Sequence, residues 1–187
     1  MVLQIVGTSR RINLKNPSLC PLVVVLVGNT KSGAYGLATA RHLANHNVRV
    51  KVCLLEPEEK LIQAVLKQLK AYSFTESSAL HSRAEMETLS QEPIDLIIDA
   101  LLDGDGWDYL SQDLFFMIEW ANNSRKNILS LDIPSGIDGD SSESSLFSLF
   151  LSSVSSCELL FYYYYYYYYY YVNQAKHCRN SFGQSGQ

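Results

Sequence analysis

Between Leu22 and Asp132 the hydrophobic period of the chain switches several times, and each switch predicts an element. Leu22 to Val27 is an unbroken apolar run rich in β-branched residues, the pattern of a strand buried on both faces of a parallel sheet. A glycine-bearing loop, Gly28 to Gly36, is expected directly after it, and Leu37, Ala40, Leu43 and Ala44 then recur at helical spacing. Val48, Val50, Val52 and Leu54 alternate as a second strand, closed by Glu56-Pro57, and Leu61, Val65, Leu66 and Leu69 mark a second helix. Pro93 precedes a third strand, Ile94 to Ile98, which closes on Asp99. Leu110, Leu114, Ile118 and Ala121 mark a further helix, and Ile128 to Leu131 a fourth strand that closes on Asp132. Strands and helices alternating in this way imply right-handed crossovers. The segment is therefore predicted to be α/β, a three-layer sandwich with a mainly parallel sheet between helices.

Outside that segment the pattern lapses. Residues 1–20 form a short, mixed, basic lead-in ending in the turn-like Asn16-Pro17-Ser18, residues 21–140 form the domain, and residues 141–187 change character abruptly. Ser141 to Ser156 is rich in Ser, Leu and Phe, and Tyr162 to Tyr171 are ten successive tyrosines. Equivalent positions set neither a strand register nor a helix face. The low-complexity tail is thus predicted to lie outside the fold and is expected to come from read-through into non-coding repeat sequence. Residues 146–172 are apolar enough to be weighed as a membrane span, but the serines, Glu158 and the phenol hydroxyls count against it, and no membrane partner is expected. Once translated, the tyrosine tract would be a β-aggregation hazard.

Composition narrows the function classes. With 187 residues, 47% of them hydrophobic and 18% charged, the chain has apolar material for one core. A formal net charge of -4 provides no overall electrostatic footprint for nucleic acid, so any RNA contact needs a local patch. Cys20, Cys53, Cys157 and Cys178 form no CxxC pair and no metal-ligand spacing. Cys53 lies in an apolar run and reads as a small buried hydrophobe. Met1 to Val6 is too short for a signal-peptide core and is followed by Arg10, Arg11 and Lys15, so a reducing cytoplasmic setting is expected.

Candidate chemistry is concentrated at the strand ends. Gly28, Gly33 and Gly36 lie between a buried strand and a helix start, where glycine allows close backbone approach and free N–H groups can meet an anion. Their spacing is neither G-x-G-x-x-G nor a P-loop, so these glycines read either as a weak nucleotide-binding signal or as a tight strand-to-helix connection. Asp99 and Asp132 each close a predicted strand, and both could face one crevice at the carboxyl edge of the sheet or cap the loops that follow. Asp103-Gly-Asp-Gly106 resembles a fragment of a calcium loop but lacks its remaining ligands, so a turn is expected, as for Asp138-Gly-Asp140. His42 and His46 are four apart on a predicted helix with no acidic or cysteine partner nearby, and a structural or surface role is expected.

Three segments in order carry a resemblance: the strand and glycine loop leading into Gly36-Leu-Ala-Thr-Ala-Arg41-His42-Leu43, then Asp95-Leu-Ile-Ile-Asp99-Ala-Leu, then Ser130-Leu-Asp132-Ile-Pro-Ser135-Gly136. Together they resemble the YjeF N-terminal domain family over about 115 residues. The resemblance implies a Rossmann-like fold, C-terminally truncated after Asp140, and a chain that is a fragment or an incomplete gene product. The family includes NAD(P)HX epimerases and the C-terminal domain of an mRNA-decapping scaffold. In the epimerases the loop carries two asparagines, two glycines, an aspartate and a glycine, where this chain has Lys31-Ser32-Gly33-Ala34-Tyr35-Gly36. Tyrosine does not replace a carboxylate there. Gly33-Ala34-Tyr35-Gly36, Arg41 to His46 and Trp120 to Asn123 are similar to the scaffold branch. That branch implies a non-catalytic homodimer of cytoplasmic mRNA-processing bodies (P-bodies), with single-stranded RNA and decapping proteins as partners. The alternative is an epimerase or a degenerate relative. It would hold potassium at Ser32, Asp99 and Ser135 and contact NAD(P)HX through Gly28, Ser32, Gly33, Gly36 and Asp132, with Asp132 available for proton transfer.

Overall fold

The computed structural model describes residues 20–75, 78–80, 83–103 and 111–136. The expectations for Met1 to Val6, Asn16 to Ser18, Asp105-Gly106, Leu110, Asp138 to Asp140, Cys157, Cys178 and the serine and tyrosine tail fall outside those residues.

Leu22–Val27 forms β1, with every residue buried. A strand apolar on both faces can lie only at the middle of a covered sheet, and β1 is the central strand. It pairs in parallel with β2, Arg49–Leu54, on one side and with β4, Ile94–Ala100, on the other. β3, Ser78–Leu80, extends the sheet beyond β2, and β5, Ile128–Ser130, extends it beyond β4. The order is β3-β2-β1-β4-β5, all parallel. The chain therefore builds outward from β1 on one side, then crosses over and builds outward on the other. That reversal leaves a crevice beyond the carboxyl ends of β1 and β4.

Helices cover both faces. α1, Lys31–Asn45, and α2, Gln63–Tyr72, pack Leu37, Ala40, Leu43, Val65 and Leu69 onto Val23, Val25, Val50 and Val52. α3, Arg83–Leu89, and α4, Gln112–Asn123, pack Met86, Leu114, Met117 and Ile118 onto Leu22, Val24, Leu26 and Ile97. The alternate residues of β1 thus feed two separate cores, as the period of a strand requires. The Tyr72 hydroxyl donates to the Val50 carbonyl at 3.2 Å, satisfying a buried polar group in the first core. Arg83 joins α3 to α4 twice, by an ion pair with Asp113 at 2.7 Å and by lying 5.0 Å from the Phe116 ring centre.

The layered α/β architecture agrees with the hydrophobic pattern, and four details correct it. The Gly28 to Gly36 loop is only three residues long, because α1 already starts at Lys31 behind its Thr30 cap. β3 and α3 were not expected, since Ser78-Ala-Leu80 is too short to show an alternation. The second helix starts at Gln63, and Leu61 lies outside it, after the 3-10 turn Glu58–Lys60. β4 runs past Asp99 to Ala100, so Asp99 is a strand residue and not a strand terminus. Cys53 is buried as expected, and burial, reinforced by Glu85, pushes its thiol up to about 12.

Gly33 and Gly36 sit within a helix, where glycine costs about 1 kcal/mol relative to alanine, so packing must require them. A Cβ on Gly33 would lie 1.9 Å from the Gly28 carbonyl oxygen, and one on Gly36 2.6 Å from the Ala100 Cβ. Gly33→Ala is expected to destabilise the domain by about 2–4 kcal/mol despite its better helix propensity, because backbone cannot yield as a flexible side chain can. Chemical denaturation checks this, and an unchanged midpoint would show that α1 does not press on the Gly28 turn.

Candidate functional site

The carboxyl ends of β1 and β4 gather most of the residues singled out from sequence. Gly28 follows β1 directly, and its N–H donates to the Ala100 carbonyl at 2.9 Å. A Cβ on Gly28 would lie 1.7 Å from the Leu101 carbonyl oxygen. Backbone thus already fills the space that Gly28 and Gly33 leave open. These two glycines serve close packing of the chain on itself and do not line an open cradle.

Asp99 is the centre of the site. It is buried, with 1% of its surface exposed, and both carboxylate oxygens accept two hydrogen bonds. Oδ1 accepts from the Leu101 N–H at 3.2 Å and the Ser135 hydroxyl at 2.7 Å. Oδ2 accepts from the Ser130 hydroxyl at 2.9 Å and the Ser135 N–H at 2.9 Å. Ser135 is also buried, and its Oγ accepts the Leu102 N–H at 3.2 Å. Burial raises the Asp99 carboxyl above the usual range, and the bonds from Ser135, Ser130 and Leu101 offset part of that rise. A carboxylate offers about four lone-pair sites, and here four donors meet them.

Asp103 forms the second cluster. Its Oδ2 accepts the Lys31 N–H at 3.0 Å and its Oδ1 the Ser32 N–H at 2.8 Å. The next amide of α1, that of Gly33, goes to the Thr30 hydroxyl oxygen at 3.0 Å. Every otherwise unpaired N–H in the first turn of α1 is therefore satisfied. Partial burial works against the Asp103 charge, but bonds from the Ser32 hydroxyl, the Ser32 and Lys31 amides and the Thr30 hydroxyl outweigh it and hold the carboxyl below the usual range. Sequence reading took Asp103 for part of a turn. A cap donated from a loop 72 residues away along the chain leaves no local signature.

Asp99 and Ser135 are joined directly, whereas Ser32 bonds to Asp103 and lies in the second cluster. Asp132 is exposed and has a left-handed backbone with φ 73°, which aspartate tolerates better than most residues. It follows Leu131, whose N–H donates to the Asp99 carbonyl at 2.8 Å, so it stands at the same sheet edge. Gly36 packs on Val25 and Ala100, and Tyr35 is 66% exposed on α1. His42 and His46 are exposed. Among the described residues, no group of three His, Cys, Asp or Glu side chains gathers that could hold a metal ion, and no helix is long and apolar enough to cross a membrane.

A potassium ion at Ser32, Asp99 and Ser135 requires oxygen lone pairs facing a common point. The Asp99 oxygens already face four donors, Ser135 Oγ both donates and accepts, and Ser32 is tied by its amide to Asp103 in the other cluster. As arranged, these residues do not fit the ion.

The parallel order, the switch point between β1 and β4, and the Asp99–Ser135 pairing define a class of protein. The chain belongs to the family described as YjeF-related protein N-terminus, whose profile matches residues 8–152. Within it, the chain is 32% identical over 136 residues to enhancer of mRNA-decapping protein 3 of Gallus gallus, covering 72% of this chain and 26% of that one, and the figures are the same for Homo sapiens. It is 34% identical over 124 residues to an NAD(P)H-hydrate epimerase of Dehalogenimonas lykanthroporepellens, covering 64% of this chain and 46% of that one. The chain therefore spans about a quarter of the length of the decapping enhancers it matches. The crystal structure of yeast YNL200c has the same fold, with a TM-score of 0.65 at 22% identity over 79% of this chain and 63% of that one.

Two outcomes follow from the clusters. Ser135→Ala removes a charge-assisted bond to Asp99 and the acceptor for Leu102, and is expected to cost about 1.5–3 kcal/mol of stability, read as a lower midpoint in denaturant. The depressed Asp103 carboxyl stabilises the fold above its unfolded pKa, near ~3.9, and that contribution is lost as pH falls through its lower folded value. The raised Asp99 carboxyl acts with the opposite sign, stabilising at low pH and losing that contribution as pH rises. Comparison with Asp103→Asn cancels the Asp99 contribution. The melting-temperature gap between the unmutated chain and Asp103→Asn is expected to be positive at neutral pH and to shrink below about pH 4. A gap that is constant across pH would place Asp103 outside the cap.

Proposed function

We propose that this chain carries a non-catalytic, scaffold-type YjeF domain related to the mRNA-decapping enhancers. The reading has it act in the cytoplasm, in P-bodies, as a homodimer with single-stranded RNA and decapping proteins as partners. The observation that carries it is the first turn of α1. Where the epimerases have two asparagines and an acid, this chain has Lys31, Ser32 and Tyr35, and the carboxylate of Asp103 is spent on the helix cap. Identity to the decapping enhancers across 72% of the chain supports the same branch. With a net charge of -4, RNA binding requires a local cluster of Lys and Arg and should be strongly salt-dependent.

A second reading, NAD(P)HX epimerisation, is favoured by the identity to an NAD(P)H-hydrate epimerase and by the exposed Asp132 at the carboxyl edge of the sheet. In that reading Asp132 would move the proton at the hydrated nicotinamide carbon.

Two assays on the full chain separate the readings. Incubated with NADHX, it is expected to leave the epimer ratio at the uncatalysed rate, and measurable interconversion would replace the scaffold reading with the enzymatic one. In a gel shift with single-stranded RNA, binding is expected at low salt and is expected to weaken steeply as salt rises. Failure to bind at any salt would remove RNA from the proposal.

A further inference from the structure

We infer that two carboxylate clasps occupy the polar groups beyond β1 and β4, so that, among the described residues, neither a monovalent cation at Asp99 and Ser135 nor a dinucleotide phosphate at the first amides of α1 finds a free partner. The clasps are built from three consecutive residues after β4. Leu101 donates to Asp99, Leu102 donates to Ser135, and Asp103 accepts from Lys31 and Ser32. One clasp meets the requirement that a cation would otherwise meet, which is to satisfy the oxygens of Asp99 and Ser135 in a buried setting. The other meets the requirement that an anion would meet, which is to satisfy the first amides of α1. A phosphate approaching that helix would have to displace a carboxylate already held by two amides. The inference stands on hydrogen-bond geometry alone, so RNA binding could fail while it holds.

The test uses the full chain and two readouts. Thermal melts compare potassium chloride with sodium chloride at equal ionic strength, and then add ADP-ribose as the phosphate-bearing probe. A site filled at about 100 times its Kd raises the melting temperature by roughly 5–10 °C, and no such rise is expected with either addition. A potassium-specific or ADP-ribose-dependent rise overturns the inference. Amide hydrogen exchange then follows Lys31 and Ser32, which are expected to exchange slowly in the unmutated chain. Asp103→Ala is expected to speed both by at least about 10-fold while β1 and β4 stay protected. Because that variant could lose the fold altogether, Asp103→Asn provides a second test. It keeps one acceptor oxygen and is expected to release one of the two amides and retain the other. Unchanged exchange in Asp103→Asn overturns the clasp.

Discussion

An ionised carboxylate in a protein interior carries a desolvation penalty of several kcal/mol unless donors replace its lost water. At Asp99 four donors offset part of that penalty, two hydroxyls and two amides, drawn from the loop after its own strand, from β5 and from the turn beyond it. Those donors fix the register of the whole carboxyl edge. Ser130 ties β5 to β4, Ser135 folds the turn back over β4, and Leu102 bonds to the same serine. With the strand end so held, Asp103 is placed to cap α1, and α1 can press on Gly28 closely enough to exclude any side chain at Gly33. Removal of Asp99 would release three segments at once.

The same edge gathers the residues on which the two readings of this chain differ. The topology brings Gly28, Ser32, Asp99, Asp132 and Ser135 together at a switch point whatever their chemistry. In this chain the polar atoms there face inward to one another. Here the Ser32 amide bonds to Asp103, and Asp99 faces Ser130 and Ser135. Only Asp132, exposed and in left-handed backbone, stands apart from both clusters.

Much of the fold was legible in the sequence because burial on two faces is written into composition. Leu22 to Val27 carries the signature of a strand buried on both faces, and the strand-helix alternation that follows implies parallel pairing. Ser78–Leu80 was not legible, since three residues show no period and its pairing with Lys51 to Cys53 comes from tertiary contact. The start of α1 was misread because glycine at 28, 33 and 36 signals a loop by propensity, whereas packing against Ala100 and Gly28 requires glycine inside a helix. Within the site, the strand-end acids were visible from their positions. The bond partners that decide their role were not, because Asp99 and Ser135 are 36 residues apart and Asp103 and Lys31 are 72 apart.

The central claim is that, among the described residues, the buried polar atoms of the β1–β4 edge satisfy one another. A crystal structure of the full chain, grown in potassium chloride and soaked in a thallium salt, tests it most directly, since thallium occupies potassium sites and scatters anomalously. The account predicts no anomalous peak within ligand distance of Asp99, Ser135 or Ser32, with the Asp103 carboxylate still on the amides of Lys31 and Ser32. A peak bridging Asp99 and Ser135, with Asp103 displaced from α1, would contradict it.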